Sequence, residues 1–281
     1  MKNLEEGSTI KIVALIVLYK TNIFDSKSLK TLLNSYGNNI DVELVLWDNS
    51  PLPVTQALID RAKKIFGEFK YISTPENKPL SQIYNKVIQD FDFDYIFLLD
   101  QDSIIPANYL SNTVHSAVQV PEVMLFLPLV KNGFTIVSPG SFYGFKGKHW
   151  KKERRGKMPV KNIVAITSGM LIAKKYFIKY LYKFDERLNL YAIDTKFMLD
   201  YACNEEHVFV TEQTFSHDSA LWSNPSADEL LPRFKNMRSA YAIMLSNHPF
   251  FSMLTKAHTI YLSFKYAVKY RDMRFLRFKS V

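Results

Sequence analysis

Residues 94–106 read DYIFLLDQDSIIP: an apolar run that ends on two acids one residue apart, Asp100 and Asp102, ahead of Pro106. The run suits a strand buried on both faces. Carboxylates on alternate residues of an extended chain point to opposite faces, but a turn directly after the strand can aim both at one ligand. Left alone they would repel and raise one pKa. A divalent cation removes that conflict, and hard oxygen donors suit Mg2+ or Mn2+, typically on the diphosphate of a nucleotide. The plainer reading is a helix N-cap beside a solvated acid.

The residues before this stretch give it a place in a fold. TIKIVALIVLY, DVELVLWDNS and FKYIS read as strands; DSKSLKTLLNSY, PVTQALIDRAKKIFG and PLSQIYNKVIQDF read as helices between them. Asp25 is the candidate N-cap of the first helix, Pro53 can start the second and Gly67 can end it. Continuous apolar strands alternating with helices predict an α/β fold with a mostly parallel sheet flanked by helices on both faces. Ligands of such sheets bind beyond the carboxyl ends of the strands. Polar residues collect there: Tyr19, Thr21 and Asn22 after the first strand, Asp48, Asn49 and Ser50 after the second. Thr74, Glu76 and Asn77 follow the third, and Asp100 to Ser103 the fourth. One polar cluster would be an ordinary loop, and Asp48 also suits a turn that caps the next helix. Four clusters on one edge favour a site.

Beyond Pro106 the expected order is a helix, the strand EVMLFLPLV, and then a Gly-, Lys- and aromatic-rich loop over 131–161, read as a lid or a solvated insertion. NIVAITSGMLIAKKYF reads as strand, tight turn at Ser168-Gly169, strand and helix. IDTKFMLDYAC is a helix, HVFVTE a strand, FSHDSALW a polar loop, and 232–279 helical. The domain reading is a catalytic unit over 1–248 and a basic, aromatic helical extension over 249–281.

The 281 residues carry a net charge of +9, and its distribution matters more than its size. Lys146 to Lys161 holds eight basic residues and one acid; 251–281 holds seven against Asp272 alone. Together these segments exceed the whole net charge, which implies phosphate-rich partners. The single cysteine, Cys203, excludes an internal disulfide and fits a reducing compartment. The apolar start follows Glu5 and Glu6 and lacks a small-residue cleavage site, and no apolar run approaches the roughly 18 residues that span a bilayer. A cytoplasmic protein is expected. The tail HTIYLSFKYAVKYRDMRFLRFKSV suits a helix lying peripherally on an anionic membrane at its inner face, or docking on its own domain or a second subunit of a homo-oligomer.

The order VALIVLYKTN, VLWDNS, NKPLSQIYN, IFLLDQDS, TSGMLIAKKYF, FDERLNLYAIDTKF resembles the family-2 inverting glycosyltransferases of the GT-A fold, over about residues 10–245. The LDQDS form is most similar to bacterial rhamnosyltransferases that use dTDP-rhamnose. The resemblance implies a GT-A (Rossmann-like) fold and a nucleotide-sugar donor, dTDP-linked in preference to UDP- or GDP-linked. It also implies a glycan or lipid-linked acceptor in surface polysaccharide or O-antigen assembly. It places Tyr19 and Thr21 against the nucleotide, Asp48 on the base or ribose, and Asn77 and Asn85 in the third loop and its helix. Asp100 would approach the ribose or metal, and Asp102 would ligate the metal. Asp194 would be the base that takes the acceptor proton, or a helix cap, and one carboxylate can do both. His217 would contact metal or diphosphate, its alternative being a solvent-facing loop residue. Arg238 would bind diphosphate or sit on a solvated helix face. The sequence departs from the family at Lys78-Pro79-Leu80-Ser81, where glycine and alanine are usual, and at Ile193, where an acid often precedes the base. The Gln/Arg-x-x-Arg-Trp motif of processive members is missing, which favours one sugar per encounter.

Two other classes compete. FLLDQDSI also resembles the opening of haloacid-dehalogenase phosphatases, with Asp100 as nucleophile and Asp102 as acid. Ile104 and the three α/β units before the motif speak against it. A nucleic-acid-binding module would use the basic segments, but no recognised motif supports it, so no nucleic-acid partner is expected.

Overall fold

The computed structural model describes residues 9–37, 40–144, 146–217, 225–246 and 249–277. The first half alternates β1 (Ile10–Leu18), α1 (Lys27–Leu32), β2 (Ile40–Asp48), α2 (Gln56–Phe66), β3 (Lys70–Ser73), α3 (Leu80–Asp90) and β4 (Tyr95–Asp100). β1 pairs in parallel with β2 and β4, and β2 in parallel with β3, so all four strands end on one edge. The two-residue period of a strand sorts the core into two layers. Val13, Leu15, Val45, Trp47, Ile96 and Leu98 face one cluster. Ile12, Ala14, Ile16, Leu46, Phe97 and Leu99 face the other. Each fully buried aliphatic or aromatic side chain contributes about 1.5–3 kcal/mol, which fixes the register of the edge above it.

Local details refine the expected helices. Gly67, at φ +81°, closes α2 by donating its N–H to Lys63 O. The cap of α1 is Ser26, whose hydroxyl accepts from Leu29 N at 3.2 Å; Asp25 belongs to a 3-10 turn capped by Asn22. Ser26 wins because its oxygen also reaches the turn after β4, donating to Gln101 O at 3.1 Å.

The second half runs β5 (Ser103–Ile104), α4 (Tyr109–Gln119), β6 (Leu125–Asn132), β7 (Thr135–Ser138), β8 (Gly140–Tyr143), β9 (Lys146–His149), β10 (Gly156–Pro159), β11 (Ile163–Val164), β12 (Leu171–Ala173), α5 (Lys174–Tyr180), α6 (Ile193–Asn204), β13 (His207–His217), α7 (Ala227–Met244) and α8 (Pro249–Tyr270). The main sheet has the order β10-β13-β6-β12-β4-β1-β2-β3. It is mostly parallel at its nucleus, while β12 runs antiparallel between β4 and β6. The segment 131–161, expected as a loop, is built instead from short strands: β7 pairs β6, β8 pairs β9 and β11, and β10 pairs β13. Trp150 anchors it, buried and donating its indole N–H to Ser141 Oγ at 3.2 Å. The strand at HVFVTE is longer than expected and absorbs Phe215 and Ser216; 218–222 lie outside the described residues.

The high aromatic share has a structural outlet. Tyr176, Tyr182, Phe184, Phe197 and Tyr201 pack ring on ring behind α6, with Tyr176–Tyr201 centroids at 4.9 Å and Phe184–Phe197 at 5.3 Å. This cluster seats the first turn of α6, and Tyr84 of α3 joins it against Phe184 at 5.2 Å.

Candidate active site

The turn after β4 is held from three sides. Gln101 O accepts from Lys27 N at 2.9 Å, so the start of α1 fixes the backbone between the two aspartates. The Ser28 hydroxyl donates to Asp100 O and Ser103 O. From β12's side, buried Ser168 accepts from Asp100 N at 3.0 Å and pairs with Ser103 Oγ at 2.7 Å. Asp100 and Asp102 both keep partial exposure. β5 then pairs with β13, bringing the backbone of His217 opposite Ser103, next to Asp102. The His217 side chain lies outside the described residues.

The other strand ends form one connected network. Tyr19 is exposed, and its N–H donates to Gln101 Oε1 at 2.8 Å, joining the first loop to the Asp-Gln-Asp turn. Thr21 donates to Tyr19 O at 3.2 Å. Asp48 is buried: Oδ1 accepts from Ser50 N at 3.0 Å, and Oδ2 from Val54 N at 3.1 Å and the Tyr71 hydroxyl at 2.5 Å. Burial, then the bond to Asp48, pushes the Tyr71 phenol up to about 12. Asn49 links the second and third loops, accepting from Thr74 Oγ1 and Lys78 N at 2.8 Å each and donating to Asn77 Oδ1 at 3.0 Å. Asn77 sits at φ +54°, a left-handed conformation that asparagine tolerates better than most residues.

Asn85 points elsewhere than the loops. Its amide donates to Phe184 O at 2.9 Å and Glu186 Oε1 at 3.0 Å, and its carbonyl accepts from Phe184 N at 2.8 Å. Ser81 donates to Leu188 O at 2.6 Å, and Leu80 N to Asn189 O at 2.8 Å. The helix after the third strand is thereby stapled to the segment leading into α6.

Asp194 lies in the first turn of α6, which opens at Ala192 in a left-handed conformation. Its Oδ1 accepts from Thr195 N at 2.6 Å and from Thr195 Oγ1 at 3.3 Å. Oδ2 accepts no hydrogen bond among the described residues. Burial pushes the carboxyl above the ordinary aspartate value, with the Thr195 donors pulling the other way. The side chain keeps some solvent contact even so. Two phenols feel its charge. Tyr84, buried and paired with Thr167 Oγ1 at 3.3 Å, has its pKa raised by burial first and then by the charges of both Asp100 and Asp194. Tyr241 of α7 is raised by burial and by Asp194. Arg238 lies one turn before Tyr241 on α7 and is half-buried.

Asp100, Asp102, Tyr19 and Thr21 therefore share the carboxyl edge, and the charges of Asp100 and Asp194 both raise the Tyr84 pKa. Asp48 and Asn85 make their hydrogen bonds inward. Ser28, Ser168, Tyr84 and Tyr241 carry no sequence signal of their own: serines in turns and tyrosines on apolar helix faces look like ordinary structure. No group of three or more His, Cys, Asp or Glu side chains gathers for a metal among the described residues. Two carboxylates on a fixed turn still fit a hard cation that keeps waters and takes its remaining ligands from phosphate.

This mostly parallel sheet flanked by helices, with an acid pair at the end of its fourth strand, is consistent with the GT-A class. The profile of Glycosyl transferase family 2 matches residues 23–181, and the chain belongs to that family. No curated protein matches the sequence. Among solved structures, S. aureus TarS 1-349 in complex with UDP-GlcNAc is 14% identical with a TM-score of 0.59, covering 85% of this chain and 67% of that one. GalNAc-T7 with UDP, GalNAc and Mn2+ is 12% identical with a TM-score of 0.60, covering 93% of this chain and 55% of that one. At such identities the likeness establishes the fold. The chain spans 66% of TarS 1-349 and 40% of the longer TarS chain.

Proposed function

We propose that this protein is an inverting, non-processive glycosyltransferase that moves a sugar from a nucleotide-sugar donor to a glycan or lipid-linked acceptor. The observation that carries it is the placement of two carboxyls: Asp100, fixed at the carboxyl end of β4 by Ser28 and Ser168, and Asp194, half-buried in the first turn of α6. One carboxylate belongs to the edge where nucleotides bind in α/β sheets, and the other has an oxygen left over for a proton. The LDQDS form favours dTDP-rhamnose as donor and surface polysaccharide or O-antigen assembly as the setting; the UDP and UDP-GlcNAc of the structural neighbours support a pyrimidine nucleotide.

In this reading Asp194 Oδ2 takes the proton from the acceptor hydroxyl as its oxygen attacks the anomeric carbon. The bond from that carbon to the diphosphate breaks on the opposite face, so the configuration inverts. The raised pKa suits the task, because a stronger base accepts the proton more readily once ionised. A Mg2+ or Mn2+ ion held by Asp102, with Asp100 and His217 as the neighbouring donors, would neutralise charge on the leaving diphosphate. Tyr19 and Thr21 border the nucleotide, Arg238 faces the diphosphate, and Asp48 and Asn77 hold the loops that receive the base. Asn85 positions the Asp194 segment through Phe184 and Glu186. We take 1–248 as the catalytic unit and 249–281 as a basic helical extension.

The test is a panel of dTDP-, UDP- and GDP-sugars with polyprenyl- and glycan-type acceptors, scored for transfer and anomeric configuration. Transfer with inversion from one donor, lost in Asp194→Asn, is expected. Retention of configuration, or nucleotide-independent phosphatase activity by the parent protein, would overturn the reading.

A further inference from the structure

Helix α8 is amphipathic in the reverse sense. Its 22 residues bury Thr255, Thr259, Ser263 and Ala267, small or polar side chains, against the protein. The large apolar ones face out: Phe250, Met253, Ile260, Tyr261, Phe264 and Val268 are 45–77% exposed. At 100° per residue these six fall within one arc of about 100°, turned away from the buried side and adjoining it at Ile260. Lys256 flanks the stripe on one side and Lys265 and Lys269 on the other, all exposed, and the helix contains no acid. The inward face has a structural account: Ser263 donates to Thr259 O at 2.9 Å, and small residues let α7 approach, with Leu231 and Phe234 packing beside Ala267. Among the described residues nothing covers the outward face.

The other basic tract adjoins it. The ring of Phe251, at the start of α8, lies over Gly144, so close that a Cβ there would collide with it. Gly144 is in the turn that leads into β9, where Lys146 and Lys148 are exposed, with Lys151 and Lys152 just beyond. The first cationic segment thus adjoins the start of the helix that carries the second. The nearby acids are neutralised internally, Asp272 and Asp228 both bonding Arg274.

We propose that the outer face of α8 docks peripherally on an anionic lipid bilayer, the apolar stripe entering the acyl boundary and the lysine rims meeting lipid phosphates. Charge selects this occupant. A second copy meeting the stripe face to face would set lysine rim against lysine rim, whereas a bilayer of anionic lipid complements both components. No helix among the described residues is long and apolar enough to cross a membrane, so the contact lies on the surface. α7, which packs on α8, also shares a cluster through Tyr241 with Ala192 at the start of α6, which would bring the site close to a membrane-held substrate.

The experiment uses the full chain without donor, so it is independent of the transfer reaction. Flotation is measured with phosphatidylcholine vesicles and with vesicles carrying about 30% phosphatidylglycerol, at low and high salt. Binding only to the anionic vesicles, weakened by salt, is expected. Lys265→Gln with Lys269→Gln should weaken it about 25-fold, on the order of fivefold per lysine. Phe264→Ser with Val268→Ser should abolish it, with an unchanged Tm because those side chains are exposed. Equal binding to neutral vesicles, or no binding to either, would overturn the proposal. So would a concentration-dependent dimer in light scattering that the Phe264/Val268 variant dissolves while vesicles fail to bind.

Discussion

Ser168→Ala removes one oxygen from the point where three chain segments meet. Ser168 Oγ accepts the Asp100 N–H at 3.0 Å and pairs with Ser103 Oγ at 2.7 Å, and the residue is buried, so water cannot replace it. Two hydrogen bonds at about 1 kcal/mol each give a loss of about 2 kcal/mol, rising towards about 3 kcal/mol if the Asp100 N–H finds no other acceptor. At about 2–4 °C per kcal/mol for a domain near this size, Tm should fall by about 4–8 °C. The function should suffer beyond the stability, because the lost bonds set the end of β4. A shift of under 1 Å in Asp100 and Asp102 is expected to lower donor kcat/KM about tenfold or more at a temperature where the variant is fully folded. The assay is calorimetry paired with donor-dependent kinetics, with Ser116→Ala on the exposed side of α4 as a control that changes stability by less than about 0.5 kcal/mol. A Ser168→Ala protein with Tm within about 1 °C of the parent and unchanged kinetics would refute the claim that this hydroxyl fixes the acid turn.

Asp194→Asn should lower kcat by about 10²–10⁴-fold, measured by transfer at saturating donor. It should not lower Tm at neutral pH: with a folded pKa above the unfolded one, the aspartate's contribution is present below the unfolded value and lost as it ionises, and asparagine avoids that cost. In the parent enzyme the acid limb of kcat/KM against pH should lie above the ordinary aspartate pKa, since the base works only once ionised. Asn85→Ala deletes three hydrogen bonds to Phe184 and Glu186, and a urea titration should show a loss of about 3 kcal/mol. Gly169→Ala places a methyl 2.5 Å from Pro128 Cγ and 2.9 Å from the Phe215 ring at φ +90°, and its urea midpoint should report a loss of about 2–4 kcal/mol.

The strands and helices up to Asp100 were legible because apolar runs and helical stripes alternate cleanly, with Gly67 as clear punctuation. The hairpins of 131–161 were not: β8 and β9 are four residues each, β9 is fully exposed, and Gly, Lys and aromatic residues in such short strands resemble a loop. At the site, acids and asparagines could be picked out by residue type, but not the direction in which they point. Asp48 and Asn49 turn inward to tie loops, which only the positions of Tyr71, Thr74 and Lys78 reveal. Ser168 and Tyr84 escaped because their roles come from neighbours 65 and 83 residues away along the chain. In the tail, residue types alone could not show which face of α8 turns outward; the structure puts its large apolar side chains on the face turned from the protein.

The central claim is that the turn after β4 holds a nucleotide diphosphate through a metal at Asp102. Titration calorimetry of dTDP and UDP into the protein, with Mn2+ or with EDTA, measures this directly in the parent chain and in Asp102→Asn. The account predicts metal-dependent binding of at least one nucleotide by the parent and its loss in Asp102→Asn, with both proteins equally stable. Binding that is the same with EDTA, or unchanged in the variant, would contradict it.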